Sequence, residues 1–233
     1  GPLIALILLF FLGNDVRSVA KWALIPAAIS ALITFFVKDQ RKIEKKINFA
    51  KVPLSSKLKQ TIVVLTIIQL ANIPDALLLL RLHDIGFGTA GVVFGYMVYM
   101  LVATFAAYPA GRLADRLHPK HAYFIGLIAF AIGYMTLGFA TSHYVALIAL
   151  AIYGFFPAFT DGVGKTWIGR LSTDESRGHA QGTFQSSMNF AVLAAGIWGG
   201  AVWSGGQTEL ALVIAGLGAL LGALFVIQYR VDA

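Results

Sequence analysis

Stretches of about 20 apolar residues recur along this chain, and no other feature restricts its fold so strongly. A segment that long and that poor in charge suits a hydrocarbon layer, where lipid offers no partner to open backbone groups and the helix satisfies its own. After an apolar fragment at 1–12, the pattern predicts helices near 19–37, 60–80, 89–110, 121–140, 144–164, 181–204 and 209–229. That makes seven full spans and a stub. The stub is too short to cross a layer of ~30 Å and has no initiator Met or basic flank, so it is expected to be the tail of an interrupted span rather than a signal peptide. The connections at 81–88, 141–143 and 205–208 are short, which makes neighbouring spans antiparallel, whereas 38–59 is a long polar run.

Charge gives the orientation. Lys38, Arg41, Lys42, Lys45, Lys46, Lys51, Lys57, Lys59, Arg112, Arg116, Lys120, Lys165, Arg170, Arg177 and Arg230 fall on one side of the predicted spans. Only Arg17, Lys21 and Arg81 fall on the other. Basic residues are retained on the cytoplasmic side, and one missed helix would have scrambled the partition. The net charge of +7 is therefore an orientation signature, with loop 38–59 cytoplasmic, and nucleic acid is not an expected partner. With 58% hydrophobic and 12% charged residues the chain cannot cover a soluble globule of this size, so the lipid bilayer is its expected surroundings. It contains no cysteine, which excludes disulfides and thiolate chemistry.

Ionisable groups inside apolar spans are costly and so are functional candidates. Asp75 lies in a segment where Gln69, Asn72 and Asp75 are spaced three apart and Pro74 loosens the helix. This forms a polar stripe beside freed carbonyls, suited to a substrate or a proton. Hydration near the outer surface, or a clamp to Arg81, would equally explain Asp75. Asp161 is followed one turn later by Lys165, so a local pair competes with proton transfer or gating. Gln181, Gln185 and Asn189 form one polar face on an apolar helix, suited either to a water-filled path or to hydrogen bonds between helices. Tyr96 and Tyr99 could line the same path or simply pack. The pairs Gly91/Gly95, Gly196/Gly200 and Gly218/Gly222 allow close helix contact.

Enzyme constellations are lacking. The five histidines sit in loops or at helix ends, and there is no H-E-x-x-H, G-x-S-x-G or phosphate-loop motif, so neither a metal, a cofactor nor catalysis is expected.

The segment Gly111-Arg-Leu-Ala-Asp115-Arg116-Leu-His-Pro-Lys120 resembles the signature cytoplasmic loop of the major facilitator superfamily, G-x-L-a-D-[RK]-x-G-R-[KR]. Gly111, Leu113, Ala114, Asp115, Arg116 and Lys120 fit, while His118 and Pro119 depart from it. Asp174-Glu175-Ser-Arg177-Gly178-His-Ala-Gln-Gly182 is similar to the family's E-x-R-G-x-A-x-G loop. In the family's twelve-helix plan these loops follow helices eight and ten, and here they follow the third and fifth full spans.

The resemblance implies an all-α polytopic transmembrane helix bundle. Residues 1–37 would end an N-terminal half with partial helix five and helix six, 38–59 would be the central loop, and 60–233 the C-terminal six-helix half. It also implies that Asp115 and Arg116 join Glu175 and Arg177 in a charge network that holds one conformation. The spans at 60–80 and 144–164 would line the cavity, bringing in Asn72, Asp75 and Asp161.

The expected function is secondary active transport of a small solute, coupled to protons, by rocker-switch alternating access with the N-terminal half of the same protein. The expected site is the cytoplasmic (inner) membrane of a bacterium. A transporter-like receptor without flux is the alternative from another class, and a membrane-embedded enzyme a further one.

Overall fold

The computed structural model describes residues 1–36 and 53–229. Most of loop 38–59, including Lys38, Arg41, Lys42, Lys45, Lys46 and Lys51, lies outside the described residues, as does Arg230. Ten helices make up the described part: α1 (Pro2–Phe11), α2 (Val16–Phe36), α3 (Ser56–Gln69), α4 (Asp75–Asp84), α5 (Thr89–Arg116), α6 (Pro119–Gly138), α7 (His143–Tyr153), α8 (Phe155–Arg170), α9 (Arg177–Ser204) and α10 (Thr208–Gln228). By length and composition, α2, α5, α6, the continuous unit α7–α8 and α10 can cross a membrane. The other two expected spans are α3–α4, which is broken, and α9, whose 28 residues reach roughly 42 Å at 1.5 Å per residue. Its polar face lowers its hydropathy without shortening it.

Helix starts are set locally. Ser55 Oγ accepts the Leu58 amide at 3.2 Å, and Ser142 Oγ accepts that of Val145 at 3.4 Å, each satisfying a first-turn donor. Before α6, His118 Nδ1 accepts the Lys120 amide at 3.2 Å, and Pro119 takes the first helical position, where a missing N–H costs nothing. The two residues that depart from the signature loop thus make a helix cap. On the opposite side, Gly86 (φ 98°) and Gly206 (φ 78°) turn the chain through the left-handed region after α4 and α9.

The α3–α4 span breaks at Pro74. Without an N–H, Pro74 cannot bond the carbonyl four residues back, that of Leu70. The indole N–H of Trp198 on α9 donates to that oxygen at 2.8 Å, and Tyr134 of α6 donates to the freed carbonyl of Ile73 at 3.1 Å. Open backbone inside a membrane protein persists only where other helices satisfy it, as here. α7–α8 bends at Gly154, four residues past Leu150 and three before Pro157, but keeps helical dihedrals there (φ −55°, ψ −23°).

α6 is the centre of the bundle. It packs against α10, α7 and α8, while α5 lies on α7 and α8, α3 on α9, and α1 on α5. Glycines set the closest approaches, as expected where lipid provides no hydrophobic drive between helices. A Cβ on Gly218 would come within 2.9 Å of Ala71, and one on Gly222 within 2.9 Å of Ile68. The other two glycine pairs work by halves: Gly95 and Gly196 meet neighbouring helices, whereas Gly91 meets only Phe87 and Gly200 faces open space. The closest approach to the backbone of another helix lies at Gly154, where a Cβ would stand 2.8 Å from both the Tyr99 carbonyl and Val102.

Candidate functional site

Asp75 is the first residue of α4 and half-buried. α4 has ten residues, so Asp75 lies roughly 15 Å along the helix axis from its far end. The Tyr153 hydroxyl donates to Oδ1 at 2.8 Å and the Tyr99 hydroxyl to Oδ2 at 3.1 Å. Tyr153 also reaches Asn72 Oδ1 at 3.5 Å. The two tyrosine rings stack with centroids 5.2 Å apart, and Tyr134 flanks Tyr153 at 5.1 Å. The arrangement holds a carboxyl where α4, α5 and α7 meet.

One alternative for Asp75 ends here, since it is not clamped to Arg81. Arg81 turns the other way, to Gly138 O at 2.8 Å and Glu209 Oε1 at 3.2 Å, with longer contacts to Leu137, Ala140 and Thr208. The expected stripe of Gln69, Asn72 and Asp75 also does not form, because the break at 70–74 rotates its members apart. Gln69 faces α8 and α9, whereas Asn72 and Asp75 face the tyrosines.

Two cavities lie beside this centre. One of about 230 Å³ between α3, α8 and α9 brings together Gln69, Asp161, Gln185 and Asn189 with Thr160, Tyr123, Phe184 and Lys165. Gln185 Nε2 donates to Asn189 Oδ1 at 3.0 Å, while Gln181 leaves this face and donates to the Lys165 carbonyl at 2.7 Å. The other, about 530 Å³ between α5 and α8, is lined by Tyr99, Met100, Ala103, Ala107, Gly111, Asp115, Pro157 and Asp161 among others. Asp161 borders both. The local Asp161–Lys165 pair does not close: among the described residues no ion pair within 4.0 Å joins them. Tyr96 is half-buried, with its ring 5.7 Å from that of Tyr99, so it backs the tyrosine that touches Asp75.

At the basic end, Asp115 pairs with Arg170 at 3.7 Å, and Arg170 also donates to the Ala114 carbonyl at 2.9 Å. Arg177 pairs with Asp174 at 2.9 Å. The two loops are not joined by an ion pair among the described residues, and neither Arg116 nor Glu175 takes part in one. Lys120 Nζ donates to the Tyr229 carbonyl at 3.5 Å. Gly111 and Gly178 face open space. Sequence reasoning missed Tyr153, Tyr134, Trp198 and Arg170. Tyr153 had a signal, being a polar-tipped residue just before Gly154 and Pro157 in an apolar span, but its partner is 78 positions away.

The comparisons with known proteins agree with this architecture. An uncharacterised MFS-type transporter of Methanocaldococcus jannaschii is 24% identical over 216 residues, covering 87% of this chain and 53% of that protein. An uncharacterised MFS-type transporter of Mycobacterium tuberculosis is 28% identical over 137 residues, covering 59% of this chain and 23% of that protein. The chain thus spans about half the length of the first relative and less of the second. No solved structure gives a significant match. The model of the Major Facilitator Superfamily matches residues 61–232, from α3 through α10, and the chain therefore belongs to that family of membrane transporters.

Proposed function

We propose that the chain is the C-terminal half of a secondary active transporter that couples the movement of a small solute to protons by rocker-switch alternating access. In this reading residues 1–37 close an N-terminal half, 38–59 is the cytoplasmic connection, and the second half of the same protein supplies the facing wall of the pathway. The membrane is the cytoplasmic membrane of a bacterium. The family membership supports transport, and the relatives' greater length supports a partner half.

One observation carries the proton coupling. Asp75 lies at a helix break within an apolar span, held by Tyr153 and Tyr99 from two other helices. Protonation there removes a charge and weakens both contacts, so charge state and helix arrangement are linked. Cavity residues Gln69, Asp161, Gln185 and Asn189 meet the solute. Asp115, held by Arg170, biases one conformation at the cytoplasmic end together with Gly111, Arg116, Lys120, Glu175, Arg177 and Gly178.

The test is proton-driven uptake or efflux of a panel of solutes in vesicles, comparing the full-length protein with Asp75→Asn. Loss of coupling in the variant supports the proposal. Coupled transport that continues unchanged refutes the role of Asp75.

A further inference from the structure

The cavity between α3, α8 and α9 carries opposite charges on one wall. Asp161 and Lys165 stand one helical turn apart on α8, and both line it. Residues so spaced ordinarily meet. Here no ion pair within 4.0 Å joins them among the described residues, and Gln181 takes the Lys165 carbonyl rather than competing for either charge. Facing them from α3 and α9 are three carboxamides, Gln69, Gln185 and Asn189, each offering both a donor and an acceptor.

We propose that this cavity binds a small zwitterion of the amino-acid type, its ammonium on Asp161 and its carboxylate on Lys165, an assignment that rests on the transporter reading. Three ligand classes fit worse. A simple cation would meet Asp161 but face the like charge of the Lys165 ammonium, and a simple anion would meet the reverse. A neutral polyol would use the carboxamides and leave both charges open. A zwitterion alone gives each charge its counter-charge while the carboxamides take the remaining donors and acceptors.

Size points the same way. A volume of about 230 Å³ equals roughly eight waters at ~30 Å³ each. It lies below the ~300–1,000 Å³ usual for drug-sized ligands. Asp161 also borders the chamber of about 530 Å³, whose wall includes Met100, Ala103, Ala107 and Pro157, so an apolar side chain can extend past the charged head.

The test uses the purified full-length protein and a radiolabelled mixture of amino acids, with choline and isovalerate as singly charged comparators. Wild type is expected to hold amino acids at least tenfold more tightly than either comparator. Asp161→Asn should lose amino-acid binding at least tenfold and shift preference toward isovalerate. Lys165→Gln should lose it similarly and shift preference toward choline, whereas Lys165→Arg should retain it. These opposed shifts cannot come from misfolding, which would lower all three ligands together. Equal binding of a comparator by wild type, or amino-acid binding unchanged in both charge-removing variants, overturns the proposal. Uptake into proteoliposomes separates the two readings. Amino acids bound but never moved leave the ligand class standing and defeat transport, whereas Asp75-dependent movement of a singly charged solute alone does the opposite.

Discussion

Arg81 gives the sharpest test of the packing argument. Its guanidinium is largely buried and makes two short contacts, to the Gly138 carbonyl at 2.8 Å and to Glu209 at 3.2 Å; the contacts to Leu137, Ala140 and Thr208 run from 3.4 to 3.5 Å. The carbonyls belong to the last turn of α6 and the residues just beyond it, where a helix has no acceptor partners of its own and a cation complements the dipole. A hydrogen bond from a charged donor contributes about 1.5–3 kcal/mol, and a carbonyl left unpaired adds about 1 kcal/mol or more. Glu209 is 63% exposed, so the ion pair itself contributes under ~1 kcal/mol. Arg81→Met, which keeps the apolar stem, is therefore expected to cost about 3 kcal/mol, and Glu209→Gln less than ~1 kcal/mol. Equilibrium unfolding in mixed micelles, followed by tryptophan fluorescence, measures both. If the two variants cost the same, the ion pair rather than the helix-end cap holds α4 to α6 and α10, and the argument fails.

Gly154→Val should separate α5 from the α7–α8 bend, since even a Cβ would lie 2.8 Å from the Tyr99 carbonyl and Val102; a loss of about 1–3 kcal/mol or more is expected in the same assay. Trp198→Phe removes the donor to the Leu70 carbonyl at 2.8 Å and should cost about 1–3 kcal/mol, with faster hydrogen exchange confined to the break at 70–74. Tyr153→Phe should weaken proton coupling in vesicles more than Tyr99→Phe, because its contact with Asp75 is the shorter one; the reverse order would point to Tyr99 as the main donor. Asp115→Asn and Arg170→Gln should slow turnover alike while leaving solute affinity within a few-fold, because the exposed pair contributes little stability and serves to bias a conformation.

Much of the site was legible where the signal was local. Asp75 and Asp161 stood out as charges in apolar spans, and Gln69, Gln185 and Asn189 as carboxamides where lipid would reject them; the structure gathers the last three with Asp161 around one cavity. The partners were not legible. Tyr153 meets Asp75 from 78 positions away, Trp198 meets Leu70 from 128, and Arg170 meets Asp115 from another helix. Local reasoning also favoured near neighbours, so Arg81 and Lys165 looked like partners for Asp75 and Asp161. In the structure Arg81 instead spans to α6 and α10, and Lys165 faces the cavity.

The sequence by itself determined that the chain is helical and membrane-embedded, because lipid tolerates only a backbone that satisfies itself and about 20 apolar residues suffice for that. It also determined the family, through two loops whose spacing matches the spans, and the weak point of one span, because Pro74 lacks an N–H wherever it lies. Tertiary structure alone decided what closes that break, which glycines are crossing points, and which charges are left facing a cavity. Those outcomes depend on which side chains from distant helices arrive at the same depth and face, and no spacing along one helix encodes that.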